Sequence, residues 1–211
     1  MTDTSSVTTV VVGDLLPWPE DPLSIAEKGP FDSAVICRGT ERSQCVVRKI
    51  SALGVTVGSD VAPILGEKIA VELASGQRLS GKVAWTGLRE LGLRFDDNID
   101  VIALLNRTLV SQDRERRTMP RLDVRCPAHL KYGEHLAAAT LRNISARGLQ
   151  LEGEELPEVG SYVSVFVEGL NVPAGEVIWR RDKLAGIEVF EELSWTSLIA
   201  WVRGVVRPGT N

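Results

Sequence analysis

The residue types with the clearest chemistry lie in two short stretches. Arg117-Thr118-Met119-Pro120-Arg121 is followed, 22 residues on, by Asn143-Ile144-Ser145-Ala146-Arg147-Gly148. Two arginines four apart beside a proline do not share a helix, because Pro120 disfavours helical backbone at Met119. They belong to an extended segment and can converge on one ligand. A guanidinium fork suits a phosphate and the O6/N7 edge of guanine, and its plane stacks on a base. The Asn143 amide both donates and accepts hydrogen bonds, as does the Ser145 hydroxyl. Gly148 allows a positive φ or a close backbone approach. Together these residues describe a site for an anionic purine nucleotide.

The arginines are also the main electrostatic feature of the 211-residue chain. Residues 1–105 carry 10 basic and 14 acidic groups, and residues 106–211 carry 14 of each. Within the second half, Arg107, Arg114, Arg116, Arg117, Arg121 and Arg125 crowd one segment against Asp113, Glu115 and Asp123. Arg107 and Arg114 read as a solvated helix end. The net charge of −4 argues against a general nucleic-acid binder.

Other chemistries fit less well. Cys126, His129 and His135 are too loosely spaced for a zinc site, so no metal is expected. No Ser–His–acid set, glycine-rich phosphate loop or paired carboxylates stand out, so no catalytic residue is assigned. Three scattered cysteines suit a reducing cytosol better than a disulfide framework. The first cation is Lys28, which predicts no secretory signal. No apolar run approaches the ~18 residues of a membrane span, so no membrane insertion is expected.

The elements that must position the arginines come from an internal repeat. Shifting the sequence by 94 positions lays Arg48-Lys49-Ile50-Ser51-Ala52-Leu53-Gly54 on Arg142-Asn143-Ile144-Ser145-Ala146-Arg147-Gly148. With no insertion, Gly66, Gly81, Trp85 and Gly92 fall on Gly160, Gly175, Trp179 and Gly186. A period of domain size indicates a tandem duplication. Ile69, Val71 and Leu73 alternate with more polar neighbours, as do Val163, Val165 and Val167, which predicts half-buried strands. Each copy then predicts a helix, capped by Asp100 and by Ser194. The first runs from about Val101 toward Arg114. Trp85 and Trp179 read as barrel packing, and Arg180 and Arg181 as exposed strand ends.

The expected class is all-β: two tandem small β-barrels, each followed by a C-terminal α-helix. The expected divisions are a flexible lead-in (1–28), a first barrel (29–112), a second barrel with its arginine segment (113–204) and a tail (205–211).

Arg-x-x-x-Arg followed by (Asp/Asn)-x-Ser-x-x-Gly at the head of a small barrel resembles the PilZ domain. Members of that family are receptors for the bacterial second messenger cyclic di-GMP. The resemblance covers roughly Arg114 to Val202, and more weakly, through the repeat, Pro30 to Leu109. It implies ligand contacts at Arg117, Arg121, Asn143, Ser145 and Gly148, with Arg116 a candidate further contact. It also implies a cytoplasmic, non-enzymatic PilZ-barrel receptor without a cofactor. Ligand binding would alter the inter-domain arrangement or the binding of a separate downstream protein, and a homodimer remains open. The first copy is degenerate: Lys49 replaces the asparagine, and Leu23 and Glu27 fall at the arginine positions. Arg42, Arg48 and Lys49 there read as solvated surface. A protein-interaction adaptor that does not bind nucleotide is the competing reading.

Overall fold

The computed structural model describes residues 8–18, 33–61, 63–110 and 120–206. The chain divides into two compact units between Pro120 and Arg121.

The first unit holds β1 (Thr9–Val11), β2 (Ala34–Arg38), β3 (Glu41–Ile50), β4 (Gly54–Gly58), β5 (Lys68–Glu72), β6 (Arg78–Gly87), β7 (Glu90–Phe95) and α1 (Val101–Val110). Strands β2 to β7 form a closed six-stranded barrel in the order β3-β2-β5-β6-β7-β4, with β4 returning to β3. The second unit holds β8 (Arg121–Tyr132), β9 (His135–Ile144), β10 (Gly148–Glu152), β11 (Tyr162–Val167), β12 (Gly175–Arg181), β13 (Leu184–Val189) and α2 (Trp195–Val206). It closes in the order β8-β11-β12-β13-β10-β9, with β9 returning to β8. Closure removes the open edges that would otherwise invite aggregation.

The 94-residue offset survives into three dimensions without slippage. Strands β3, β4 and β7 map residue for residue onto β9, β10 and β13. Loop hydrogen bonds repeat too: Phe95 N donates to Leu53 O at 2.9 Å, and Val189 N to Arg147 O at 3.0 Å. The same register shift interrupts β6 between Val83 and Trp85 and β12 between Val177 and Trp179. Ile36, Ile50, Val55, Leu91 and Leu93 fill the first barrel, and Leu122, Leu130, Leu141, Ile144 and Leu151 the second; all are buried. Leu104 and Leu105 give α1 its buried face, and Leu198 and Val202 do so for α2. Each such side chain stabilises by about 1.5–3 kcal/mol. Asp100 caps α1 as expected, its Oδ1 accepting from Ala103 N at 2.8 Å.

Some expectations need correction. The lead-in is not loose over residues 8–18. There β1 pairs in parallel with β3, the Thr8 hydroxyl donates to Val47 O at 3.0 Å, and Trp18 packs on Trp85. The continuation of α1 toward Arg114 falls outside the described residues. Helix α2 continues to Val206, past the start expected for the tail.

Arg48 is not solvated surface either: its Nε and Nη1 are buried without a hydrogen-bond partner. The repeat explains this. Its counterpart Arg142 pairs with Glu152 at 2.6 Å, but Gly58 stands where Glu152 does, and the Arg48 guanidinium lies over it. Leaving buried N–H groups unpaired is unfavourable. Arg48→Met is therefore expected to stabilise the chain by ~1 kcal/mol, whereas Arg142→Met should lower the melting temperature. Thermal unfolding of both variants checks the contrast.

All three cysteines are free thiols. Burial is the main cause that pushes the Cys45 thiol up to about 12. Little of it is then thiolate at mildly alkaline pH. Cys45 should resist a thiol reagent until the barrel unfolds, and a fast native-state reaction would contradict that placement.

Candidate ligand-binding site

Four of the residues singled out by spacing, Arg121, Asn143, Ser145 and Gly148, lie at one end of the second barrel. Arg121 opens β8, Asn143 lies near the end of β9, and Ser145 and Gly148 form the turn from β9 into β10. Strand pairing sets Asn143 beside Asp123 on one side and Gln150 on the other. Arg121 Nη1 donates to Asn143 Oδ1 at 2.7 Å, and the Asn143 amide nitrogen donates to Gln150 Oε1. Both ends of the Asn143 side chain are thus engaged, one of them by the Arg121 guanidinium.

Arg121 is the electrostatic centre of this end. Burial alone depresses its pKa from the ordinary arginine value. It remains charged, because a guanidinium does not deprotonate in proteins. Its hydrogen-bond partner is a neutral amide, and among the described residues no carboxylate forms an ion pair with it. Such a group is poised for an anion.

A cavity of about 170 Å³ opens beside it, lined by Arg121, Ser145, Arg147, Gly148, Leu149, Ile178, Trp179, Gly186, Ile187 and Glu188. The floor is shaped by close backbone packing. A Cβ on Gly148 would lie 2.6 Å from Ile187 O, and one on Gly186 would lie 2.0 Å from Trp179 Nε1. Gly148 thus serves close approach, not a positive φ. The Ser145 hydroxyl donates to Gly148 O at 3.2 Å, so Ser145 also fastens its own turn. Arg147 is exposed and pairs with Glu192 at 2.6 Å.

Arg121, Ser145 and Gly148 are brought together around this cavity, and Asn143 stands behind Arg121. Arg116 and Arg117 lie outside the described residues. Sequence reasoning missed Trp179, Ile178 and Glu188 as lining residues. Trp179 does pack over Gly186, as its recurrence suggests, but the same ring walls the cavity. The bulge after Val177, invisible in the sequence pattern, sets it there. Arg180 is paired with Glu158 at 2.6 Å.

A larger open groove of about 1310 Å³ runs along α2. Among the described residues its walls hold Glu168, Glu191 and Glu192 and no arginine or lysine, so these walls offer an anion no counter-charge. Cys126 and His129 also line it, while His135 stacks on Tyr132 with centroids 5.4 Å apart. Among the described residues no group of three or more His, Cys, Asp or Glu side chains could hold a metal ion. No helix among them is long and apolar enough to cross a membrane.

The chain matches none of the curated proteins. Among solved structures, it is similar to Borreliella burgdorferi PlzA in complex with c-di-GMP, at 13% identity over 81% of this chain and 86% of that one, with a TM-score of 0.33. It is similar to the Bacillus subtilis inhibitor of motility MotI/DgrA at 14% identity over 85% and 99%, with a TM-score of 0.31. It is also similar to Escherichia coli YcgR in complex with c-di-GMP, at 10% identity over 82% and 81%, with a TM-score of 0.27. The family model that describes the PilZ domain matches residues 115–204, the segment that carries both arginines, the Asn-x-Ser-x-x-Gly turn and the whole second barrel. Residues 115–204 are therefore a PilZ domain.

Proposed function

We propose that this protein is a non-enzymatic receptor for cyclic di-GMP that binds the dinucleotide at the mouth of its second barrel. One observation carries the reading. Arg121 is a desolvated guanidinium, held by an amide and not by a carboxylate, at the rim of a pocket walled by an indole. That combination suits a ligand with an anionic backbone and flat bases. Arg121 and Arg117 neutralise the phosphates and present their forks to the guanine O6/N7 edge. Asn143 holds Arg121 in line, Ser145 and Gly148 shape the turn the base rests on, and Arg116 adds a further contact. The proposed output is a change in the inter-domain arrangement or in the binding of a separate downstream protein.

Calorimetric titration of the full chain with cyclic di-GMP, with GTP and cyclic di-AMP as controls, tests this. Saturable binding of cyclic di-GMP alone is expected, and its stoichiometry distinguishes one nucleotide from a stacked pair. No heat and no thermal stabilisation would overturn the receptor reading and leave the adaptor.

A further inference from the structure

The first barrel has a counterpart of this pocket, and the chain fills it itself. The repeat carries Gly148, Trp179 and Gly186 onto Gly54, Trp85 and Gly92. In the second barrel those three residues border open space. In the first, the Trp18 indole lies there. A Cβ built on Gly92 would come within 2.7 Å of Trp18 Cζ3, and one on Gly54 within 3.4 Å of Trp18 Cη2. The ring stands edge-on to Trp85, with centroids 6.2 Å apart and planes at 78°. The segment is stitched down on both sides of its path. Upstream, β1 pairs with β3; beside the indole, the Thr56 hydroxyl donates to Pro17 O at 2.6 Å.

The indole is an imperfect occupant. Trp85 Nε1 is buried and has no hydrogen-bond partner, so Trp18 covers the donor without satisfying it. An orphaned donor of this kind is unfavourable. A flat ring with an acceptor on its edge would fill the same space and accept that N–H. Of the described residues beside the ring, Gly54, Thr56, Trp85 and Gly92 carry no charge, and Arg94, which pairs with Gly54 and stands where Glu188 does in the repeat, is the charged neighbour.

We propose that Trp18 is a displaceable plug in a second ring pocket, whose ligand class is a flat, bicyclic heteroaromatic with a hydrogen-bond acceptor on its edge. The tethered indole competes with such a ligand at high effective concentration. The segment ending at Trp18 is then the part that moves when the pocket is taken. None of this depends on what the second barrel binds.

The test uses the full chain, the variant Trp18→Ala, and two neutral probes of the same shape: benzimidazole, which has an acceptor nitrogen, and indole, which does not. Trp18→Ala should bind one benzimidazole per chain, at least ~10-fold more tightly than the wild type does. It should prefer benzimidazole to indole, and adding Trp85→Phe should remove that preference. No saturable binding to Trp18→Ala, or equal binding to wild type and variant, would overturn the proposal. If Trp18→Ala fails to fold alone, benzimidazole present during refolding should restore native circular dichroism; no recovery would equally overturn it. Cyclic di-GMP titrations of the same proteins read the second barrel separately.

Discussion

Arg121→Ala is expected to weaken cyclic di-GMP binding by ~100-fold or more while leaving the thermal midpoint unchanged or slightly raised. Hydrogen bonds to charged partners contribute about 1.5–3 kcal/mol each. A fork that makes two of them accounts for a loss of that size, since each 1.4 kcal/mol is tenfold. The stability side follows from the surroundings. In the free protein the guanidinium is partly desolvated and gains one bond, to a neutral amide. Truncating it removes that bond but also relieves the burial of an uncompensated charge. Asn143 keeps its bond to Gln150. Calorimetry for affinity and thermal unfolding for stability check the two halves together. Intact binding would remove Arg121 from the site, and unfolding would make it a structural clamp. Arg121→Lys keeps the charge but not the planar fork, so it should recover only part of the loss.

Asn143 offers a graded companion test. Its Oδ1 accepts from the Arg121 guanidinium, and it does not itself line the cavity. Asn143→Ala should therefore weaken binding less than Arg121→Ala does. The double variant should be no worse than Arg121→Ala alone, because coupled residues are not additive. An independent, additive loss would instead make Asn143 a direct contact.

Much of this architecture is legible in the sequence because the chain is written twice. A lone glycine in a strand could mark a bulge, a turn or nothing. Two glycines 94 residues apart, each facing the same partner atom, mark a backbone approach. Gly81 and Gly175 face the carbonyl oxygens of Arg94 and Glu188, and Gly92 and Gly186 face the indole nitrogens of Trp85 and Trp179. That Arg121 and Asn143 share one site is legible in the motif, whereas their direct contact is not; it arises because the motif spacing spans one hairpin and antiparallel pairing brings its two ends together.

What stayed hidden depends on features that one-dimensional patterns do not carry. Pro17 and Trp18 sit in a proline-bearing stretch with no periodicity, so nothing local signals that they dock. Their partners, Thr56, Trp85 and Gly92, are far along the chain. The 94-residue offset lays Gly58 on Glu152, but that this leaves Arg48 without a partner shows only once β3 and β4 are paired in space. The placement of Trp179 depends on a strand bulge, and a one-residue shift of register exchanges the faces of a strand.

The same substitution at two glycines of the second unit should move stability in opposite directions. Gly175 lies on β12 opposite Val189, where a Cβ would sit 2.3 Å from the carbonyl oxygen of Glu188 and 3.0 Å from its carbon. These are backbone atoms, so no rotamer change relieves the clash; β13 itself must shift. Overpacking costs about 1–3 kcal/mol, and a backbone obstacle belongs at the upper end. The melting transition should fall by on the order of 15 °C for a barrel of this size. The shift also bears on the site, because Gly186, Ile187 and Glu188 form one wall of the cavity. Gly175→Ala should therefore lose nucleotide affinity even at temperatures where it remains folded. Gly204 lies in α2 with nothing within 4 Å of a built Cβ. There alanine removes only the entropy cost of a helical glycine, so Gly204→Ala should stabilise by ~0.5 kcal/mol and leave binding unchanged. A Gly175→Ala barrel that melts with the wild type would mean that β12 and β13 lie farther apart than described. The cavity wall would then have to be redrawn, and with it the place assigned to the base.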